Sequence, residues 1–190
     1  MHNPRITIIG AGGIGSWTTL LLSKMGIKQL TVYDSDVVSP HNLSTTCYAA
    51  AQLGDYKVDA LAETVEYMTG TLVKTRRHKY AGGHLKTDIL ISAVDSAETR
   101  GSLIKAAIDH DIPFFVDGRI GGENIRVYAL RLNDGREIQD YLESLPKPGF
   151  PADLRGARVS PLPCTGQHVI DVGLITASLI VRAVRQYLSE

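Results

Sequence analysis

The chain has 190 residues, and its 20 Lys and Arg residues balance its 20 Asp and Glu residues, so the formal net charge is zero. This length is enough for one domain with a sizeable core. A neutral chain lacks the basic surplus typical of nucleic-acid-binding proteins, and an aromatic share of 6% offers no platform on which bases would stack. The composition therefore argues against a nucleic-acid partner.

Cysteine usage and hydropathy indicate the compartment. The chain has two cysteines, Cys47 and Cys164, too few for a disulfide framework or a four-cysteine zinc site, and this favours a reducing cytoplasm. The first predicted strand begins at Arg5, and we expect no signal peptide ahead of it. The most apolar late segment, residues 169–188, is interrupted by charged residues. We expect a soluble cytoplasmic protein with no membrane partner.

The first motif joins a strand to a helix. Residues 5–9 are rich in β-branched side chains and lead into Gly10-x-Gly12-x-x-Gly15, after which apolar residues recur at helical spacing. Gly10 permits a sharp turn, Gly12 has no Cβ to block a phosphate, and Gly15 lets the helix pack closely on the strand. The unpaired amide groups at the start of that helix favour an anion, so the motif predicts a phosphate-binding turn.

A second strand is predicted over residues 29–33, and it ends at Asp34. Nucleotide-binding βαβ units place an acidic residue at about this distance, where it binds the ribose hydroxyls. The spacing favours a nucleotide site over an incidental glycine turn with a solvated Asp34. Residues 35–46 are polar and predict a loop at the carboxyl end of strand two, where an open parallel sheet binds its ligands.

The next predicted helix covers residues 55–68, with Lys57 in its first turn. A cation there opposes the helix dipole, so Lys57 is either simply exposed or serves an anion. A strand over residues 72–76 and a basic run follow, and we interpret the run as solvated surface in preference to a docking patch. Residues 88–94 are almost wholly apolar, typical of a central parallel strand, and Asp95 follows them directly.

The alternation continues with a helix over residues 97–110 and a strand over residues 113–117. It predicts an α/β fold with a Rossmann-like, doubly wound, mainly parallel sheet. Residues 124–132 form the next predicted strand, which follows a Gly-Gly turn without a helix between and should add to the sheet antiparallel.

The end of the chain has a different character. Residues 133–163 contain several turn signals and are predicted to be loop-rich, and residues 167–188 predict a closing helix with one broad apolar face. We predict a single domain over residues 1–190, with its core at about residues 5–132.

Five sequence elements that carry a resemblance occur in this order: Gly10-Ala11-Gly12-Gly13-Ile14-Gly15, Asp34-x-Asp36-Val37, Asn42-Leu43, Gly54-x-x-Lys57 and Val94-Asp95. Together they resemble the ubiquitin-activating-enzyme-like adenylyltransferases of the ThiF, MoeB and HesA type, over about residues 5–132. The resemblance implies a ThiF-like enzyme that binds ATP and adenylates the C-terminal carboxylate of a small ubiquitin-like or sulfur-carrier protein.

The resemblance also implies site residues. Those that would bind the nucleotide are Gly10, Gly12, Gly13, Gly15, Asp34, Asp36, Asn42 and Lys57. Asp34 would hold the ribose, Lys57 would contact the phosphates and Asp95 would help hold Mg²⁺, so that charge on the transferring group and on departing pyrophosphate is neutralised. The alternatives are an exposed helix residue for Lys57 and a helix N-cap for Asp95.

The chain departs from the family pattern in its arginines. Family members usually have an arginine two residues after Asn-Leu, where this chain has Ser44-Thr45, and an arginine ahead of the first strand is not expected here. Arg100 and Arg119, near the ends of strands four and five, are candidate substitutes, and we count Arg119 with Lys57 and Asp95 as a candidate catalytic residue.

Cys164 is the fourth catalytic candidate, because it lies just ahead of the last helix, where a thiol becomes more acidic. In the family, a late cysteine often receives the carrier as a thioester or becomes a persulfide linkage. Cys164 is equally well interpreted as a small buried residue, and Cys47 as part of the core.

Three functions remain in competition. The first is adenylation by a homodimer, since relatives bury a surface between two such domains and the last helix is very apolar. The second is a non-catalytic partner or scaffold, favoured by the missing arginines. The third is an NAD-dependent oxidoreductase, which the glycine turn and Asp34 alone would allow.

Overall fold

The computed structural model describes residues 3–121, 124–145 and 170–190. Its strands are β1 (Arg5–Ile9), β2 (Gln29–Tyr33), β3 (Lys74–Arg76), β4 (Ile89–Ser92), β5 (Phe114–Gly121) and β6 (Asn124–Arg131). Its helices are α1 (Gly15–Lys24), α2 (Lys57–Thr69), α3 (Ala97–Asp109), α4 (Gly135–Ser144) and α5 (Ile170–Leu188).

The six strands form one sheet in the order β3-β2-β1-β4-β5-β6. All neighbours are parallel except β5 and β6, which pair antiparallel over their whole length. The predicted doubly wound sheet with an antiparallel addition is therefore confirmed. Because the winding reverses between β1 and β4, the carboxyl ends of these two strands open a crevice, the usual ligand position in such sheets.

Helices cover both faces of the sheet. Ile6 and Ile8 of β1 point into a core shared with α1, α2 and α5, whereas Ile9 belongs to a second core shared with α3 and α4. This division follows from the two-residue period of a strand, which sends alternate side chains to opposite faces. Each fully buried Leu or Ile stabilises the fold by about 1.5–3 kcal/mol, so the sheet is held from both sides.

The closing helix α5 lies across β5 and β6 and against α1. Gly118 of β5 makes this possible, since a Cβ there would lie 2.8 Å from the Ile180 side chain. Phe114 stacks on Tyr187 with ring centroids 4.1 Å apart. The predicted helix is confirmed from Ile170 onward, and residues 167–169 lie outside the described residues.

The loop-rich prediction for residues 133–163 is wrong over its first part. Residues 135–144 form α4, which begins after Asp134, whose carboxylate accepts hydrogen bonds from the amides of Arg136 and Glu137. The Asn-Asp-Gly signal is thus a helix cap as well as a turn. α4 buries Tyr141 against the sheet, and Ile138, Tyr141 and Leu142 follow helical spacing, but this apolar pattern is only three residues long. Residues 146–163 lie outside the described residues.

None of the helices in the described ranges combines the length and the apolar character that a membrane crossing requires.

Candidate nucleotide-binding site

Two glycines of the turn between β1 and α1 are required by the fold. Gly10 has a φ of +99°, and a Cβ on it would lie 2.4 Å from the carbonyl oxygen of Ala93. A Cβ on Gly15 would lie 1.9 Å from the carbonyl oxygen of Gly10. A side chain at Gly10 would push the turn between β1 and α1 away from the loop after β4, and one at Gly15 would push α1 away from this turn. The need for glycine at both positions agrees with the roles that the sequence predicted for them.

The other two glycines differ from each other. A Cβ on Gly12 would meet no atom within 4 Å, so this backbone borders open space at the crevice. Gly13 is enclosed instead: its carbonyl oxygen would lie 3.0 Å from a Cβ on Gly173 of α5. Gly12 therefore leaves open space beside the main chain, and Gly173 is the residue whose missing Cβ lets α5 pack against the turn.

Asp34 ties the end of β2 to the glycine turn. One carboxylate oxygen accepts a hydrogen bond from the Ala11 amide at 2.8 Å, and the other accepts one from the Asp36 amide at 2.8 Å. A carboxylate oxygen has two lone pairs, so each oxygen keeps one acceptor position. Asp34 is half-buried at the rim of the crevice, and its remaining lone pairs suit ribose hydroxyls.

Lys57 and Asp36 form an ion pair at the same rim. The Lys57 Nζ lies 2.9 Å from the Asp36 carboxylate, and the Lys57 amide donates to the Asp36 carbonyl at 2.9 Å. The Lys57 side chain is 11% exposed and that of Asp36 is 61% exposed. The hydrogen bond from Lys57 lowers the pKa of Asp36 below its usual value. The interpretation of Lys57 as an exposed helix residue is therefore wrong.

Asn42 is buried in the loop after β2, where it holds a short 3₁₀ turn. Its side-chain oxygen accepts hydrogen bonds from the amide of Ser39 at 3.0 Å and from the Ser39 hydroxyl at 2.9 Å. Tyr48, which no sequence motif indicated, donates its hydroxyl to the Ala11 carbonyl at 2.5 Å. Burial raises the pKa of Tyr48 above its usual value, which already lies well above neutral pH, so the hydroxyl is a donor there. Asn42 and Tyr48 both shape the site through its backbone.

Asp95 is exposed just beyond β4. The N-cap of α3 is its neighbour Ser96, whose hydroxyl accepts from the Thr99 amide at 3.3 Å, so the N-cap alternative for Asp95 is wrong. Mg²⁺ commonly binds one or two carboxylates and completes its shell with waters and substrate phosphates. One exposed carboxylate at the carboxyl end of β4 fits that pattern. The described residues contain no cluster of three or more His, Cys, Asp or Glu suited to a metal.

Arg100 and Arg119 both bind Asp117, a buried acid in the middle of β5. The Arg100 Nε lies 3.1 Å from one Asp117 oxygen, the Arg119 Nε lies 2.6 Å from the other, and the Tyr141 hydroxyl donates to the latter at 3.2 Å. The Arg119 guanidinium also lies over the Tyr128 ring, 4.3 Å from its centroid. The structure thus brings both candidate arginines together around one carboxylate, and a role for Arg119 at phosphates stays a prediction.

The structure describes one of the two cysteines, Cys47. Cys164 lies outside the described residues. Cys47 is a free thiol packed against the core, and burial raises its pKa to about 11. The packing role predicted for Cys47 is confirmed.

Comparisons with known proteins agree with this geometry. Ubiquitin-like modifier-activating enzyme 5 of Drosophila willistoni is 28% identical over 132 residues, which make up 60% of this chain and 32% of that protein. The tRNA threonylcarbamoyladenosine dehydratase of Haemophilus influenzae is 25% identical over 150 residues, or 75% of this chain and 58% of the dehydratase.

Among solved structures, E. coli MccB with ATP superposes with a TM-score of 0.71 at 14% identity, over 95% of this chain and 54% of MccB. This likeness concerns the fold. The chain thus spans about a third of the curated enzyme 5 and somewhat more than half of the other two proteins. The ThiF family profile matches residues 1–124, most of the chain and all of the crevice described above. The chain belongs to the ThiF family.

Proposed function

We propose that this chain binds ATP with Mg²⁺ in the crevice and adenylates the C-terminal carboxylate of a small ubiquitin-like or sulfur-carrier protein. One observation carries the proposal: a continuous series of hydrogen bonds runs from the Ala11 amide through Asp34 and Asp36 to the Lys57 ammonium group. It joins a phosphate-binding turn, a ribose-binding acid and a cation along one rim.

Each group has a task in this reaction. Gly12 admits a phosphate to the main chain, Asp34 binds the ribose, and Lys57 neutralises phosphate charge once its ammonium group turns from Asp36. Mg²⁺ held by Asp95 would supply further charge neutralisation at the phosphates. The substrate carboxylate attacks the α-phosphorus, a new oxygen–phosphorus bond forms, and pyrophosphate leaves with the electron pair of the broken bond.

The relatives support this assignment in general terms. One of them is named for activating a ubiquitin-like modifier, and MccB was solved with ATP. The dehydratase is named for a modified adenosine of tRNA, so the family also includes proteins whose named substrate is not a protein. The identity of the carboxylate is for this reason part of the proposal.

A non-catalytic partner is the second candidate function. Ser44-Thr45 stand where the family usually has an arginine, and Arg100 and Arg119 are both engaged by Asp117. An NAD-dependent oxidoreductase is the third, because Asp34 and the glycine turn would serve that dinucleotide as well.

The assembly and the compartment belong to the proposal as well. We propose a homodimer in the cytoplasm, consistent with the exposed apolar residues Ile175 and Leu179 on α5. Sedimentation velocity at several protein concentrations tests the dimer. Cys164 is proposed as the acceptor of the activated carrier, whose carbonyl its thiolate would attack with release of AMP, and trapping of a thiol-cleavable adduct on wild type but not on Cys164→Ser tests it.

Titration calorimetry tests the nucleotide assignment. ATP and NAD are titrated with Mg²⁺ and with EDTA into the wild type, Asp95→Ala, Lys57→Ala and the control Lys86→Ala, which removes an exposed lysine at the amino ends of the strands, away from the crevice. We expect Mg²⁺ to strengthen ATP binding, and Lys57→Ala to weaken it by about tenfold or more, as for a lost hydrogen bond to a charged group. Pyrophosphate exchange with candidate carriers then follows. Binding of NAD alone favours the oxidoreductase, and binding of neither nucleotide favours the scaffold.

A further inference from the structure

The loop between β4 and α3 is held by a single guanidinium group. Arg100 Nη1 donates to the Asp95 carbonyl at 3.1 Å, and Nη2 donates to the Val94 carbonyl. Its Nε donates to the Asp117 carboxylate at 3.1 Å. All three nitrogens of one planar group are therefore used, two of them on the backbone that carries the Asp95 side chain.

This contact is buried and its direction is fixed. The Arg100 side chain is 11% exposed and Asp117 is fully buried. Asp117 also accepts hydrogen bonds from Arg119 and Tyr141, so its carboxylate cannot rotate freely. This fixed carboxylate in turn orients the guanidinium group of Arg100. Buried ion pairs contribute little net stability compared with apolar packing. Net stability therefore does not explain the Arg100–Asp117 pair. Its effect on the geometry of the loop between β4 and α3 does.

The loop is also held on the side of the crevice. The Ala93 amide donates to the Ile9 carbonyl at 2.9 Å, and the Ala93 carbonyl lies against Gly10 of the glycine turn. Two residues after Ala93, the carbonyl of Asp95 is bound by Arg100 while the residue itself remains exposed. The backbone at Asp95 is thus fixed relative to the phosphate-binding turn.

We propose that Arg100 and Asp117 are positioning residues that hold the Asp95 carboxylate where it meets the magnesium ion of a bound nucleotide. This inference rests on the proposed function. Mg²⁺ demands near-ideal octahedral geometry with oxygen ligands at about 2.0–2.1 Å, so a loop that shifts by an ångström loses the ligand. Arg100 suits the task because its rigid fork reaches several acceptors at once, which a lysine ammonium group does not.

The test measures the metal-dependent gain in ATP affinity, defined as the ratio of the dissociation constants in EDTA and in Mg²⁺. The variants are Arg100→Lys, Asp117→Asn, Asp95→Ala and the double variant Arg100→Lys/Asp95→Ala. We expect Arg100→Lys to reduce the metal-dependent gain about tenfold, or down to the gain that remains in Asp95→Ala. ATP affinity in EDTA should stay within about twofold of wild type. The double variant should be no weaker than Asp95→Ala alone, because both changes act on one ligand.

A second readout avoids activity altogether. Mn²⁺ replaces Mg²⁺ in the complex with ATP, and its electron paramagnetic resonance spectrum should change in Arg100→Lys in the same way as in Asp95→Ala. The matched control is Leu103→Ala, which empties a buried site on the same helix and should keep both the gain and the wild-type spectrum. Circular dichroism checks that each variant is folded, and Arg100→Gln, which leaves Asp117 paired with Arg119, serves if Arg100→Lys is not.

The outcomes separate the two proposals. A wild type without any metal-dependent gain overturns the proposed function and this inference with it. A wild type with the gain, together with an Arg100→Lys variant that retains it, overturns the inference alone. The same conclusion follows if Leu103→Ala loses the gain as fully as Arg100→Lys, because general loss of stability would then explain both.

Discussion

The ammonium group of Lys57 is bound by the Asp36 carboxylate at 2.9 Å, although Lys57 is the first residue of α2. A cation at a helix N-terminus is unfavourable, and the carboxylate of Asp36 offsets this cost. The pair keeps a nearly buried lysine at the rim of the crevice when no phosphate is present. Its exposed partner Asp36 is easily displaced, which leaves Lys57 free to serve a stronger anion.

Lys57→Met should raise the pKa of Asp36 toward its ordinary value, because the Lys57 hydrogen bond is the main cause of its lowering. A carboxyl group whose pKa is lowered by folding stabilises the fold at pH values above its unfolded-state pKa. This contribution is lost as the pH falls through its folded-state pKa. With Asp36 largely exposed, the change in stability should stay below about 1 kcal/mol. Carboxyl-detected NMR titration measures the pKa directly. Arg77→Met is the control, since Arg77 pairs with Asp59. An unchanged Asp36 titration would show that the pair does not form in solution.

Gly12→Ala should leave stability nearly unchanged and weaken ATP binding, because its Cβ meets no protein atom but occupies the approach to the main chain. Gly10→Ala and Gly15→Ala should instead destabilise the fold by about 2–4 kcal/mol, since their Cβ atoms would overlap backbone oxygens. Urea denaturation and calorimetry measure the two effects. Equal loss of stability in all three variants would contradict this division of roles.

Cys47 should react slowly in the native state, because burial raises its pKa to about 11. The folded state keeps the thiol protonated, so stability should fall as pH rises from the unfolded-state pKa of about 8.5 toward the folded-state value, by up to about 1.4 kcal/mol per pH unit. Alkylation and urea denaturation in a Cys164→Ser background measure the rate and the slope. Cys47→Ala should remove this part of the slope. Alkylation as fast in folded as in unfolded protein would refute the prediction.

Asp117→Asn should destabilise the protein by about 3–5 kcal/mol, because it leaves Arg100 and Arg119 buried without a counter-charge. Tyr141→Phe removes a single hydrogen bond to the same carboxylate and should cost about 1.5–3 kcal/mol. Asp59→Asn, in an exposed ion pair, is the control and should cost less than about 1 kcal/mol. Chemical denaturation measures all three, and a cost for Asp117→Asn similar to that of the control would contradict the buried-network description.

The candidate site was partly predictable. The glycine turn and Asp34 follow from local spacing, since a strand, a tight turn and a second strand lie next to one another in the chain. The helix α4 escaped prediction, because its cap resembles a turn and Tyr141 is its single fully buried side chain. Tyr48 escaped as well, since its contact with Ala11 spans 37 residues and has no local signature.

The sequence by itself determined the succession of the strands and of every helix except α4, the glycine turn and the position of Asp34, because hydrophobic periodicity and glycine placement act between near neighbours along the chain. The tertiary structure alone decided how charges are paired. Lys57 meets Asp36 across 21 residues, and Arg100 meets Asp117 across 17. Such partners are chosen by which elements the sheet brings together, and the low dielectric of the interior then makes each buried charge depend on its partner.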